Sequence, residues 1–337
     1  MREETTWSQQ ARLTIADGVE WGRFGHDVAV WEDTVVVGAP GTSEIGMGGP
    51  GKAYVFVRNG PEWSQQARLE VVGSGPDDEL GVSVAILDQT AVIGAHVFVR
   101  SGTTWSQQAK LTTTDGSPLP RGRTVALSGE TALVGDYVFV RSGTTWSQEA
   151  KLALGWAPDS YPLHVALSGD TALVGAPRGD GAAAGYVFVR SGTTWSQEAV
   201  LVGDDAPNNY GWPWSAALAG DTAVLGAANI VGGGSAYVFR RSGTSWNQEA
   251  KLVAGSPTHG DEFGAAVAVS EDRALVGAHL DDTGAGIDAG SAHMFVRSGT
   301  TWSQEDMLTT EDDLGDDHFG ESVAASGETV LIGVARD

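Results

Sequence analysis

Cysteine is absent from the chain, so no disulfide can brace the fold and no thiol can act as nucleophile or metal ligand. Basic residues are scarce, with 20 Lys and Arg against 43 Asp and Glu and a formal net charge of −23. Nucleic-acid and anionic-membrane binding both depend on clustered positive charge, so neither is expected. The surplus of acid suits a soluble surface and leaves cation binding as an option. No run approaches the roughly 20 apolar residues of a spanning helix, so membrane insertion is not expected. The polar start Met1-Arg2-Glu3-Glu4 does not read as a signal peptide, so an export signal would have to lie outside this sequence. Long amphipathic helical patterns are missing too. Glycine, at 47 of 337 residues, is abundant instead and suits a chain of strands and tight turns.

What fills the chain is a repeat. Trp, then Ser or Asn, then Gln recurs at Trp7, Trp63, Trp105, Trp146, Trp195, Trp246 and Trp302, at spacings of 41 to 56 residues. Each period holds four short strand-like segments parted by Gly, Ser and Asp, clearest from Ser128 to Leu152. The second and third are apolar at odd and even positions alike: Tyr137 and Phe139 face one way, Val138 and Val140 the other. Strands buried on both faces read like this, as in blades stacked around an axis. The fourth segment alternates, with Trp146, Gln148, Ala150 and Leu152 on one side and Ser147, Glu149 and Lys151 on the other, which predicts a half-exposed outer strand. Repeats of this period predict an all-β fold, a seven-bladed β-propeller of four-stranded antiparallel blades, forming one domain over residues 1–337.

Phe24-Gly25 followed by Gly38-Ala39-Pro40 carries a family pattern. Phe-Gly returns at Phe263-Gly264 and Phe319-Gly320 and softens to Leu80-Gly81 and Tyr210-Gly211; the second half returns as Gly175-Ala176-Pro177, Gly226-Ala227-Ala228 and Gly277-Ala278-His279. The chain resembles the FG-GAP repeat proteins, whose repeat is the blade of the integrin α-chain propeller and of many bacterial surface proteins. The resemblance implies a propeller fold and says little about activity, because function resides in sites grafted on folds. It also implies an extracellular or cell-surface location. Integrin-type blades carry an Asp-rich calcium loop between the Phe-Gly and Gly-Ala-Pro strands. Here that hairpin is only Trp31-Glu32-Asp33-Thr34, Ser128-Gly129-Glu130-Thr131, Ser168-Gly169-Asp170-Thr171 or Ser326-Gly327-Glu328-Thr329, too poor in acid for the 6–8 oxygens that calcium takes. No cofactor is required by these motifs, and integrin-type calcium loops are absent. The residual calcium candidate is Asp281, Asp282 and Asp288 in one loop; a solvated acidic loop is the plain alternative, as it is for Glu311-Asp312-Asp313 and Asp316-Asp317.

In an antiparallel blade the 1-2 and 3-4 hairpins share one face of the disk, and the 2-3 loops and 4-to-1 crossovers share the other. The first set is short throughout. The second varies from the direct joins Gly94-Ala95-His96 and Gly135-Asp136-Tyr137 to insertions at residues 41–52, 178–185, 229–234 and 281–291. Variable loops on a rigid ring mark this long-loop face as the candidate binding face. Trp21, Trp156, Trp212 and Trp214 fall in or beside the crossovers, with Tyr161 and Tyr210 near them, and could stack on sugars, anchor a protein or simply pack the loops down. The repeated tryptophans read as inter-blade core.

Other motifs dissolve. Residues 46–52 have phosphate-loop spacing but run into Ala53 and a strand, and Arg178-Gly179-Asp180 stands where a turn is expected. The seven histidines show no paired-ligand spacing, and only His279 beside Asp281 and Asp282 forms a local cluster. No Gly-x-Ser-x-Gly elbow appears. The segments 2–13 and 322–334 together would make the seventh blade, shared between the termini, but without a Tyr-Val-Phe-Val third strand. Three readings follow: a three-stranded last blade, a longer chain, or a neighbour that fills the gap. The functional expectation is a non-enzymatic extracellular or cell-surface binding module that engages a protein partner through the long-loop face. A lectin using the loop or inter-blade tryptophans, and a polysaccharide hydrolase or lyase, are the alternatives; ligand identity and oligomeric state stay open.

Overall fold

The structure is a computed structural model, and it describes residues 2–3, 6–15, 22–41, 51–75, 80–116, 119, 124–155, 163–177, 183–205, 215–228, 232–310 and 315–335. It is an all-β propeller of six four-stranded antiparallel blades and a partial seventh. Blades 1 to 6 span residues 28–69, 84–110, 125–151, 164–201, 215–252 and 266–308. In blade 3, Val125–Ser128, Thr131–Val134, Tyr137–Ser142 and Thr145–Lys151 follow one another across the sheet in chain order. The partial blade is the hairpin Ser322–Ser326 and Thr329–Gly333, whose first strand lies between the first strands of blades 6 and 1.

Two-faced burial is what the sequence pattern requires. Tyr137 and Phe139 pack with Val92 and Val97 of blade 2, while Leu133 and Val138 pack with Val174 and Phe188 of blade 4. Each blade is thus the shared filling of two inter-blade cores. The 1-2 turns are two residues long and put their first central residue in the left-handed region: Gly129 at φ 55°, Gly169 at 57°, and also Glu32 at 50° and Asp88 at 53°. Glycine adopts that conformation freely, and Glu32 and Asp88 hold it at some cost.

The outer strand departs from strict alternation. In all six complete blades a β-bulge falls at the residue three after the repeat tryptophan: Gln66, Gln108, Glu149, Glu198, Glu249 and Glu305. A bulge re-aims a side chain, so Glu149 does not stand with Ser147 and Lys151 on the outer side; it accepts from Trp195 of the next blade at 2.9 Å. The same bond recurs around the ring. Trp63 donates to Gln10 at 3.0 Å, Trp105 to Gln66 at 2.9 Å, Trp146 to Gln108 at 3.0 Å, Trp246 to Glu198 at 2.9 Å and Trp302 to Glu249 at 3.1 Å. Trp7 donates to Glu305 at 3.3 Å, which carries the series across the point where the chain's two ends meet.

Arginines near the ends of the third strands complete the buckle in five blades. Arg58, Arg100, Arg141, Arg190 and Arg241 lie 5.4–5.8 Å over their own blade's tryptophan ring. Arg100, Arg141, Arg190 and Arg241 also donate to Thr34, Thr90, Thr131 and Thr171 of the preceding blade at 2.9–3.3 Å. Arg141, Arg190 and Arg241 pair with Glu130, Asp170 and Asp221 in their own 1-2 turns. These cations are therefore structural, spread around the short-turn face.

Glycine is indispensable at the seams near the long-loop face. A Cβ on Gly38 would strike the carbonyl oxygen of Gly81, one on Gly277 that of Gly320, and one on Gly333 that of Gly25. The facing glycines 81, 320 and 25 themselves sit at φ 82°, 95° and 97°. The glycine of Phe-Gly or Leu-Gly on one blade and the facing glycine on its neighbour thus allow two backbones to touch where any side chain would hold them apart.

Two stability predictions follow from these contacts. Gly277→Ala should destabilise by about 1–3 kcal/mol through overpacking, whereas Gly143→Ala, with open space around it, should cost only about 1–2 kcal/mol for its left-handed backbone; urea denaturation compares them. Arg297 hydrogen-bonds Glu249 and holds its pKa below the usual carboxylate value of 4.5, so this pairing stabilises the fold above pH 4.5 and is lost as pH falls through the depressed folded value. Glu249→Gln, which keeps an acceptor for Trp302, should flatten that acid limb, and Glu249→Ala should cost about 2 kcal/mol at neutral pH by leaving both donors unmet.

Candidate functional site

The strand order places the 2-3 loops and 4-to-1 crossovers on one face, as expected. The six aromatic candidates on it, Trp21, Trp156, Tyr161, Tyr210, Trp212 and Trp214, lie outside the described residues. So do most of the insertions at 41–52 and 178–185, the Arg178-Gly179-Asp180 tripeptide and residues 311–314. The insertion of blade 6 is described in full.

That loop uses its acids internally. Asp281 accepts from Ser291 Oγ at 2.6 Å, and Asp282 accepts from the backbone N–H of Asp288 at 3.0 Å. Asp288 sits at φ 51°, and its carbonyl accepts from His318 N at 3.2 Å while Ala289 accepts from Phe319 N at 3.0 Å. The loop is thereby laid along the crossover into the partial blade. Burial raises the Asp281 pKa, against the Ser291 hydrogen bond and with the charges of Asp261 and Asp282 adding to it. Among the described residues, no three or more His, Asp and Glu side chains are grouped to hold a metal ion.

The structure assembles a different cluster from those residues. His279 does not turn toward Asp281 or Asp282; its Nε2 lies 3.5 Å from Glu262 Oε2, and its ring centroid lies 5.4 Å from that of His318. Across the next seam, Glu321 Oε1 accepts from Arg23 Nη2 at 2.9 Å and lies 3.0 Å from His26 Nδ1. Burial alone would raise the Glu321 pKa, but the hydrogen bond from His26 and the charges of His26, Arg23 and His279 outweigh it and leave it lowered. Glu262, with no such compensation, is raised by burial. The result is a half-buried row of acids and bases, Glu262, His279, His318, Glu321, His26 and Arg23, running along the long-loop face from blade 6 across the partial blade to blade 1.

One local feature sets this row. Arg23, Glu262 and His318 each stand immediately before Phe-Gly, and each holds a left-handed backbone at φ 51°, 55° and 61°. Non-glycine residues seldom occupy that region, and such strain concentrates at functional positions. Three residues later the Phe-Gly turn delivers His26, Ala265 or Glu321, whose backbone N–H bonds back to the carbonyl of Arg23, Glu262 or His318. The flanks of Phe-Gly therefore project side chains toward one another across the seam between the partial blade and blade 1, where Arg23 and His26 meet Glu321. Sequence reasoning missed this row; the signal was there, in Arg23-Phe24-Gly25-His26 and His318-Phe319-Gly320-Glu321.

Behind the row, the buried His293 and the partly buried Asp27 hold uncharged or costly states. His293, 2% exposed and edge-on to Phe263 at 5.2 Å, has its pKa lowered by burial to about 4, against the Gln304 hydrogen bond and the charge of Asp261. Burial raises the Asp27 pKa, although its carboxylate accepts from the backbone N–H groups of Val84 and Val28. Because the unfolded chain binds the His293 proton from about pH 6.5 down while the folded chain resists it until about pH 4, stability should fall as pH drops through that window. His293→Gln should remove part of that slope in urea midpoints measured between pH 7 and 4.

The FG-GAP repeat profile matches residues 7–56, 146–189, 246–295 and 302–337, more than half of the chain. The first three matches run from the outer strand of one blade to the third strand of the next, so each spans a seam and includes the Gln or Glu that accepts that seam's tryptophan bond. Blade 2, where Phe-Gly has softened to Leu80-Gly81, lies outside the matches. No curated protein matches the chain. The chain belongs to the FG-GAP repeat family, and its blades are the β-propeller unit of that repeat.

Proposed function

We propose that this chain is a non-enzymatic binding module, a seven-bladed ring that engages a protein partner through its long-loop face outside the cell or at its surface. The observation that carries the reading is the row from Glu262 to Arg23: six polar and charged side chains held by strained turns on one face of a rigid ring. Such a row offers hydrogen bonds and charge in fixed positions and, with its acids and bases already paired, no activated nucleophile. Membership of the FG-GAP family supports the same class. The net charge of −23 favours a partner with a basic contact surface.

A lectin is the second reading, favoured by Trp21, Trp156, Trp212 and Trp214 in the crossovers. A photo-crosslinking residue at position 23, whose side chain is 41% exposed on the long-loop face, should trap protein partners that one at position 170, 63% exposed on the short-turn face, does not. Equal trapping at both would remove the face assignment. A glycan array, run with and without calcium, should be blank; saturable binding abolished in a Trp212→Ala, Trp214→Ala double variant would install the lectin instead.

A further inference from the structure

The repeat breaks on the short-turn face at the seam between blades 1 and 2. At the last residue of the first strand, blades 3, 4 and 6 and the partial blade have Ser128, Ser168, Ser270 and Ser326, and blade 5 has Ala219. Ser128 Oγ accepts from the backbone N–H of Gly169 in the next blade's turn at 2.9 Å, and Ser168 Oγ from that of Gly220 at 3.0 Å. Blades 1 and 2 place Trp31 and Leu87 there, and neither side chain can accept. Ala29, two residues earlier on the same strand face, packs against blade 2, so Trp31 is carried toward the turn at Asp88-Gln89. Trp31 is 37% exposed, and it is the one aromatic among the large exposed hydrophobic residues that are described.

The acids around Trp31 depart from the repeat as well. The first central residue of the 1-2 turn is glycine in four blades, Gly129, Gly169, Gly220 and Gly327, each at φ 54–57°. Glu32 and Asp88 hold the same conformation at φ 50° and 53°, so carboxylates are kept where glycine would carry no strain. The 3-4 turn of blade 1, about 10 Å further out at two strand spacings, reads Asn59-Gly60-Pro61-Glu62 where the other complete blades read Ser-Gly-Thr-Thr or Ser-Gly-Thr-Ser. The ring closes elsewhere without any of these exchanges. The scaffold also shows what such a tryptophan takes. Five repeat tryptophans lie under an arginine that meets an acid or amide of its own 1-2 turn, as Arg141 covers Trp146 and pairs with Glu130, and Arg58 covers Trp63 and pairs with Asp33. Trp31 has exposed Glu32 and Asp88 beside it but, among the described residues, no arginine over its ring. We propose that this sector of the short-turn face docks a basic segment of a partner protein, with an arginine lying on Trp31 and its charge between Glu32 and Asp88. A second copy of the chain is the poorer occupant, because at −23 the chain repels itself. Blade 4, which carries position 170, has Ser168 and Gly169 here and lies outside the sector, so this proposal and the long-loop reading fail separately.

The probe is a fluorescein-labelled peptide, Gly-Arg-Gly-Arg-Gly-Arg-Gly, titrated with the full chain at about 0.15 M salt, where diffuse attraction is screened beyond about 8 Å. Saturable one-to-one binding by fluorescence anisotropy is expected. Trp31→Ser gives blade 1 the residue of blades 3, 4 and 6 and leaves the charge unchanged; it should weaken binding about tenfold, as for loss of an aromatic anchor. Glu32→Gly, the residue of four other turns, should weaken it about threefold, and Asp170→Asn on the same face should change it less than about twofold. Equal affinity of the native and Trp31→Ser chains, with circular dichroism showing intact β-structure in both, would overturn the proposal. So would a loss in Asp170→Asn as large as in Trp31→Ser, which would leave only diffuse charge, or the absence of saturable binding. A doubled mass of the native chain alone that Trp31→Ser returns to one copy would also overturn it and give the surface to self-association.

Discussion

Every seam of the ring carries one hydrogen bond: a tryptophan indole N–H on one blade, donated to the Gln or Glu three residues beyond the tryptophan on the blade before, an acceptor that is bulged in all six complete blades. The bond needs three things at once. The tryptophan must be laid down by its arginine, the bulge must turn the acceptor out of the strand's alternation, and the two blades must approach closely. Without cysteine, no covalent staple substitutes for this series. Each bond is worth about 1 kcal/mol net, and its strength lies in repetition, since the same geometry recurs from Trp7 on Glu305 to Trp302 on Glu249.

Close approach is the part supplied by the family motif. Leu80-Gly81 faces Gly38-Ala39-Pro40, Phe319-Gly320 faces Gly277-Ala278, and Phe24-Gly25 faces Gly333-Val334, backbone against backbone, and a single Cβ at Gly38, Gly277 or Gly333 would separate the blades. The same turn that brings the backbones together forces its preceding residue into a left-handed conformation, and at Arg23, Glu262 and His318 that residue is charged or titratable. Scaffold and candidate site are thus consequences of one turn. The long-loop face acquires a polar row because the seams there are narrow, and the short-turn face acquires paired arginines because its tryptophans need covering.

Much of the fold was legible in the sequence because repetition amplifies weak signals. One Tyr-Val-Phe-Val run could be a buried helix turn, but three such runs and three variants of them at propeller spacing, each flanked by a Trp-Ser-Gln or Trp-Asn-Gln strand, leave little else. Period-two reasoning failed at Glu149, because a bulge inserts a residue into the count and turns that side chain toward Trp195. The recurrence of Gln or Glu at Gln10, Gln66, Gln108, Glu149, Glu198, Glu249 and Glu305 was the available clue. The site was harder to read. His279 has Asp281 and Asp282 as sequence neighbours, yet it meets Glu262, 17 positions away beside the neighbouring strand of its own blade, and His318, 39 positions away across a seam.

The account makes closure between blade 6, the partial blade and blade 1 the keystone, with Trp7 as its fastener. Hydrogen–deuterium exchange on the native chain and a Trp7→Ala variant tests this most directly. If the ring closes as described, the variant should lose protection along the whole seam, in Ser322–Ser326, Thr329–Gly333 and Val28–Trp31 as well as near residue 7. If the loss stays confined to residues 2–15 and the hairpin and blade 1 remain as protected as before, the indole bonds do not hold the ring together and the account fails.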